Sequence, residues 1–154
     1  MSLYLKNNFR EIMTLRSLEM RLGGPDVLGL SIQKDVDLVT LVERGIPKST
    51  IKYLADSLNI HVRELTNYLP VTNRNLHRYR NSDLLNETVS DHIIALAELF
   101  EYGEEMLGKD YFRDWLHSKI LALGNRRPAD FLKTHKGIDI IRDELGRIAY
   151  GIFA

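Results

Sequence analysis

Residues 59–80, NIHVRELTNYLPVTNRNLHRYR, decide how the rest of the chain reads. The apolar positions Val62, Leu65, Leu69, Val71 and Leu76 fall at helical spacings on either side of Pro70. The pattern predicts helix, tight turn, helix: Pro70 and Val71 turn the chain, and Thr72 offers an N-cap hydroxyl to the second helix. In such a pair one short helix braces the second and leaves it an outward polar face. That face holds Thr72, Asn73, Arg74, Asn75, His77, Arg78 and Arg80. Asn can bond an adenine edge bidentately and Arg a guanine edge, while arginines near the helix end can hold phosphates. The same spacing also describes a hairpin of an ordinary bundle with a solvated face. Pro70 bears on that choice. A DNA-reading turn usually holds a left-handed glycine, and a proline ring forbids positive φ. The turn must be built differently here, or the hairpin opens at another angle.

Upstream, Ile51, Leu54, Ala55 and Leu58 form an amphipathic stripe, with Pro47 suited to the first turn of their helix. Residues 36–42 read as a short helix, ended by Gly45. Leu5, Phe9, Ile12, Leu15 and Leu22 mark a first helix that Gly23, Gly24 and Pro25 stop. Downstream, Asn86 caps a long helix whose inner face is Val89, Ile93, Leu96, Ala97, Phe100 and Leu107. A helix with Phe112, Trp115 and Leu116 is expected to end near Leu123 and Gly124. Pro128 opens a short turn burying Phe131 and Leu132. A last helix from about Gly137 presents Ile138, Ile141, Leu145, Ile148 and Ile152 as a seam. The expected fold is all-α. Its core should include Leu54, Leu65, Leu76, Ile93, Trp115, Phe131, Ile141 and Ile148.

Composition narrows the function. With 154 residues, 44% of them hydrophobic, the chain can bury a real core. It has no cysteine, which excludes disulfides, thiolate zinc sites and cysteine nucleophiles. No apolar run approaches a membrane span and no secretory pattern opens the chain, so the cytoplasm is the expected compartment. Net charge is zero, from 21 basic and 21 acidic residues, but the average hides a polarity. Residues 61–80 hold four arginines against one acid, Glu64; residues 81–107 hold seven acids and neither Lys nor Arg. A basic lobe beside an acidic helix suits a protein that turns one side toward phosphate.

Catalytic patterns are missing. The five histidines (His61, His77, His92, His117 and His135) lack ligand spacing, so no metal is expected. Adjacent Glu104 and Glu105 diverge on a helix and read as surface, not as an acid–base pair. Trp115, between Phe112 and Leu116, reads as core. With no nucleophile–base arrangement, neither an enzyme nor a cofactor is expected. Arg126 and Arg127 flank a helix start, and each can serve the scaffold or face a partner. Tyr150, Phe153 and Ala154 carry apolar and aromatic character to the last position, which predicts a docked end.

Taken together, these segments resemble the Xre/MbcA/ParS antitoxins, partners of RES-domain toxins. The likeness runs through Val27-Leu28-Gly29, Asp37-Leu38-Val39, Arg44-Gly45-Ile46-Pro47, Leu54-Ala55, Arg63-Glu64-Leu65, Arg74, Leu76, Arg78 and Ser90-Asp91. It is strongest at residues 122–132, ALGNRRPADFL, and 145–154, LGRIAYGIFA. It departs at Pro70, where Gly is usual, and at Thr66, where a small apolar residue is usual. The resemblance implies an Xre-like helix-turn-helix region followed by a small helical toxin-binding region. It also implies an autoregulator that binds operator DNA and plugs the cleft of an NAD-consuming toxin; a homodimer is expected because helix-turn-helix readers meet paired half-sites. The expected division is an N-terminal arm over residues 1–45, a candidate for dimerisation, a DNA-binding region over 46–100 and a toxin-binding region over 101–154. Toxin contact is expected from Arg126, Arg127, Asp143, Arg147, Tyr150, Gly151, Phe153 and Ala154. Two other readings stand beside it: a stand-alone regulator without a toxin, and a toxin-blocking protein without DNA binding. Copurification with an RES-domain protein separates the first of these, and operator binding the second.

Overall fold

The computed structural model describes residues 2–151, apart from the side chains of Asn8 and Phe9; Ile152, Phe153 and Ala154 lie outside it. The expected all-α architecture forms, and among the described residues there is no β-strand. Helix α1 (Leu3–Arg21) starts where the Ser2 hydroxyl accepts the Leu5 N–H. It ends before Gly23 and Gly24, whose φ of 111° and 85° a side chain would strain. Helices α2 (Pro25–Leu28), α3 (Asp35–Arg44), α4 (Thr50–Leu58), α5 (Val62–Asn67) and α6 (Asn73–Leu76) come next along the chain.

The axis of the molecule is α7 (Glu87–Leu107), capped by the Asn86 side chain, which accepts the Val89 N–H. Val89, Ile93, Leu96, Ala97 and Phe100 are buried as the spacing predicted, but so are Ser90, His92, Ile94, Leu99 and Gly103. A helix covered on most sides needs neighbours on most sides. They are α1, α3, α4, α8 (Lys109–Leu116) and α9 (His135–Ala149). One continuous apolar cluster runs from Leu15 through Leu145, and each fully buried side chain in it contributes about 1.5–3 kcal/mol.

Several expectations need correction. Pro47 does not open α4: residues 46–49 pair back onto 81–85, through Leu85 N–H to Ile46 (2.8 Å) and Lys48 N–H to Asp83 (2.9 Å). The same pairing draws the chain away after a single turn of α6, so the second helix, expected to carry its outward face as far as Arg80, stops at Leu76. Val62 is not inward; it is the first residue of α5 and stays 37% exposed. Helix α8 ends at Leu116, not near Leu123, because Ile120 bridges Arg126 and closes a hairpin around a 3-10 turn at Leu121–Leu123. Of the expected core, Phe131 and Ile148 are only half-buried, and the other six are buried.

The acidic face of α7 is not simply solvated. Arg21, itself buried, reaches Glu101 (3.0 Å) and Glu104 (2.7 Å), and Arg10 pairs with Glu105. Glu104 is therefore half-buried, contrary to its reading as surface. The cations that α7 lacks in sequence come from α1. Burial opposes the Arg21 charge, and the hydrogen bonds and charges of Glu104 and Glu101 restore it.

Candidate functional site

Two surfaces carry the residues singled out above. On the first, Thr72, Asn73, Arg74, Asn75, His77, Arg78 and Arg80 are all exposed or nearly so. Thr72 caps α6, its hydroxyl accepting the Asn75 N–H at 3.1 Å, so that hydroxyl is already engaged. Arg80 pairs with Asp83 at 3.3 Å but remains 85% exposed. The Pro70 turn contains no left-handed residue: Tyr68 N–H bonds Leu65 and Leu69 N–H bonds Thr66, at 2.9 and 3.1 Å, with ordinary negative φ at Tyr68. The left-handed residue lies one helix earlier, at Asn59 (φ 54°), in the three-residue link Asn59-Ile60-His61 between α4 and α5. Asn tolerates that conformation better than other non-glycine residues.

A groove of about 420 Å³ opens between α4, α5 and α6, floored by Ile51, Val62 and Leu76. Its rim carries Lys48, Lys52, His61, Arg63, Asn73 and His77, and no acid lines it. Of these, Lys48, Lys52, His61 and Arg63 were missed by sequence reasoning, which looked only beyond Pro70. The signal was there as Asn59 at the end of the 51–58 stripe, a C-cap residue leading through a short link to a new helix. Thr66, the second departure from the family pattern, is buried, and its hydroxyl donates to the Val62 carbonyl at 2.9 Å. It leaves no polar group unsatisfied.

The second surface is built by α8, the hairpin, the 3-10 turn Pro128–Phe131 and α9. Close packing positions it. A Cβ on Gly103 would lie 2.3 Å from the Phe112 ring, and one on Gly137 would lie 1.7 Å from the Phe131 carbonyl oxygen. Only glycine lets α8 and α9 approach this way. Thr134 caps α9 by accepting the Gly137 N–H at 3.0 Å. Phe112 stacks on Trp115 with ring centroids 6.2 Å apart, as core residues. Gly151 takes φ 64° just beyond α9, where a Cβ would meet nothing.

The arginines here are tied down. Arg127 clamps Asp130 at 2.8 Å across the 3-10 turn and holds that carboxyl below the usual range. Arg126 lies over the Phe131 ring at 4.4 Å. Arg147 holds the buried Glu144 at 2.6 Å. Asp139, Asp143 and Tyr150 face outward on α9. Phe153 and Ala154 lie outside the described residues. Between the two surfaces, Glu64 of α5 accepts from the buried Tyr68 hydroxyl at 2.5 Å and meets His117 after α8. Burial raises the Glu64 carboxyl, but those two hydrogen bonds outweigh it and leave it below its ordinary value. Burial and the neighbouring Glu64 push the Tyr68 phenol up.

Residues 95–151 match the family described as the antitoxin Xre/MbcA/ParS C-terminal toxin-binding domain. The chain is also 23% identical over 130 residues to a protein named Prs ADP-ribosylating antitoxin from Sphingobium sp. (strain YBL2), covering 77% of this chain and 82% of that one. A protein named Antitoxin Xre from Yersinia enterocolitica is 24% identical over 130 residues, covering 82% of this chain and 88% of that one. The domain so matched comprises the second half of α7, α8, the hairpin, the Pro128 turn and α9, which is the second surface described above. Over that domain the chain is similar to antitoxins of the Xre/MbcA/ParS type.

Proposed function

We propose that this chain is an antitoxin that neutralises an RES-type, NAD-consuming toxin by blocking its cleft with residues 139–154, and that it represses its own operon by binding DNA. The observation that carries the first half is the outward side of α9. Asp139, Asp143 and Tyr150 stand clear of the core while Ile138, Ile141 and Leu145 are buried. A cleft made for the phosphates of NAD needs cationic side chains and backbone donors, and carboxylates presented on a rigid helix can occupy such a site. Tyr150 and Phe153 supply the aromatic bulk, and Gly151 and Ala154 complete the plug. Arg147 flanks it, and Arg126 and Arg127 meet the toxin outside that cleft. The chain itself performs no chemistry in this reading; it excludes the toxin's substrate.

Support for the DNA half comes from the acid-free groove and from the link at Asn59. The pair α4–α5, joined by three residues with a left-handed first position, has the form the Pro70 turn lacks. It adds Lys52, His61 and Arg63 to the residues assigned to operator contact. Operator sites are commonly read as paired half-sites, which calls for two copies at fixed spacing. The start of α1, with Leu5, Ile12 and Met13 exposed, suits that dimer contact.

The test is coexpression with the product of the neighbouring open reading frame. Deleting residues 151–154 should abolish protection while leaving the melting temperature and operator retention nearly unchanged. Full protection by the truncated protein removes the plug. A mobility shift on the chain's own promoter decides the DNA half, and no retention even at low salt leaves a toxin-blocking protein alone.

A further inference from the structure

We infer that Leu121 is a second anchor on the toxin, a rigid apolar knob that enters an acid-rimmed apolar socket outside the NAD cleft. The knob rests on the reading that residues 95–151 bind a toxin, and specifies where else they do so.

At 87% exposed, Leu121 is the most exposed large hydrophobic side chain among the described residues. Isolated exposed leucines are normal; this one is held as few loop residues are. Ile120 N–H bonds Arg126 at 3.0 Å, Asn125 N–H returns to Ile120 at 3.0 Å, and Gly124 N–H bonds Leu121 at 3.0 Å. Gly124 and Asn125 are both left-handed, at φ 70° and 59°. Leu123, buried, fastens the hairpin to the core, and Arg126 is fixed over Phe131. Nothing in this arrangement draws Leu121 inward. A knob ordered before binding loses little conformational freedom on binding.

Charge identifies the socket. Between residues 117 and 136 the chain carries Lys119, Arg126, Arg127, Lys133 and Lys136 against one acid, Asp130, which Arg127 already neutralises. Lys119 and Arg126 flank the hairpin that carries Leu121. A basic collar is repelled by a cationic phosphate-binding cleft, so the hairpin cannot share the site that the carboxylates of α9 are suited to. It fits an apolar depression with Asp or Glu at its edge. The hairpin lies inside the matched toxin-binding domain, and this makes the toxin its occupant.

The experiment titrates the full chain against the purified product of the neighbouring open reading frame, by calorimetry, with melting curves of each variant. Leu121→Asp should weaken binding by about thirtyfold or more at an unchanged melting temperature, because it removes the anchor and carries a charge into an apolar socket. Leu121→Met should stay near wild type. Lys119→Glu should weaken binding severalfold and reduce its salt dependence. Binding by Leu121→Asp within about threefold of wild type overturns the knob and leaves the plug standing. Failure of the wild-type chain to bind removes the toxin reading and the knob together. If Leu121→Asp keeps toxin affinity but loses operator retention or shifts sedimentation, the residue belongs to a nucleic-acid or self-association surface, and the knob is overturned.

Discussion

The two polar surfaces of this protein use their arginines differently. On the α5–α6 side, Arg63, Arg74 and Arg78 form no ion pair or side-chain hydrogen bond among the described residues. On the α8–α9 side, Arg127 is clamped to Asp130, Arg147 to Glu144, Arg126 lies over Phe131 and Arg142 over Tyr102. Unengaged guanidiniums keep their donors for phosphate and base edges. Engaged ones stiffen their surface and leave Asp139, Asp143, Tyr150 and Leu121 as groups turned outward. Counting arginines along the chain does not separate the two uses.

The contrast breaks first if the surfaces do not share a core. Leu65 under one and Ile141 under the other are both fully buried, and alanine at either should cost roughly 2–5 kcal/mol. Each should lower a single cooperative urea transition; two separable transitions would mean that the surfaces fold independently. Gly137→Ala should be comparably severe, at about 3 kcal/mol or more, since its Cβ collides with the Phe131 carbonyl.

Next in size is DNA affinity. Arg74→Ala, Arg78→Ala and Arg63→Ala should each lose roughly 1–3 kcal/mol on the operator where the contact is to a base, with stability unchanged within about 0.5 kcal/mol. Arg80→Ala, already shared with Asp83, should weaken all sequences alike and lower the salt slope by about one at most. At the other surface the order reverses. Arg127→Ala should lower the melting temperature slightly before any partner is added, because it releases Asp130. Equal stability loss at Arg74 and Arg127 would erase the distinction.

A smaller effect concerns pH. His92 of α7 is buried, with Nε2 2.8 Å from the Leu132 carbonyl, and burial holds its pKa below the ordinary 6.5. The folded state therefore favours the neutral ring while the unfolded chain binds a proton more readily. The resulting stabilisation is whole above about pH 6.5 and is lost as pH falls from there toward the folded pKa. Glu64, also held below its ordinary value, adds a loss at lower pH, as its carboxylate takes up a proton and releases His117 and Tyr68. Melting curves between about pH 7 and pH 5 should slope downward for wild type and flatten for His92→Gln.

What the sequence determined by itself is local. Thr72 and Asn86 announce their helices because a cap needs only a side-chain oxygen three residues from a free N–H. Pro128 marks its turn, and the stripes of α4, α7 and α9 show their buried sides through spacing alone. Gly23 and Gly24 stop α1 because of their own backbone freedom. The candidate residues on α6 and α9 were legible for the same reason: polar side chains opposite an apolar stripe must face outward.

Only the tertiary structure decided the rest, and each case depends on atoms far apart in the chain. Residues 46–49 pair with 81–85, which moves the start of α4 past Pro47 and cuts α6 to one turn. Arg21 crosses to Glu101 and Glu104, so charges that look solvated on α7 are half-buried. Lys52, His61 and Arg63 become one groove with Asn73 and His77 only when α4, α5 and α6 meet. Gly137 looks like an ordinary helical residue until Phe131 is set against it. Caps and periodicity act over three or four residues, where the backbone alone sets distance. Ion pairs, grooves and close approaches depend on how helices are stacked, and no spacing along the chain encodes that separation.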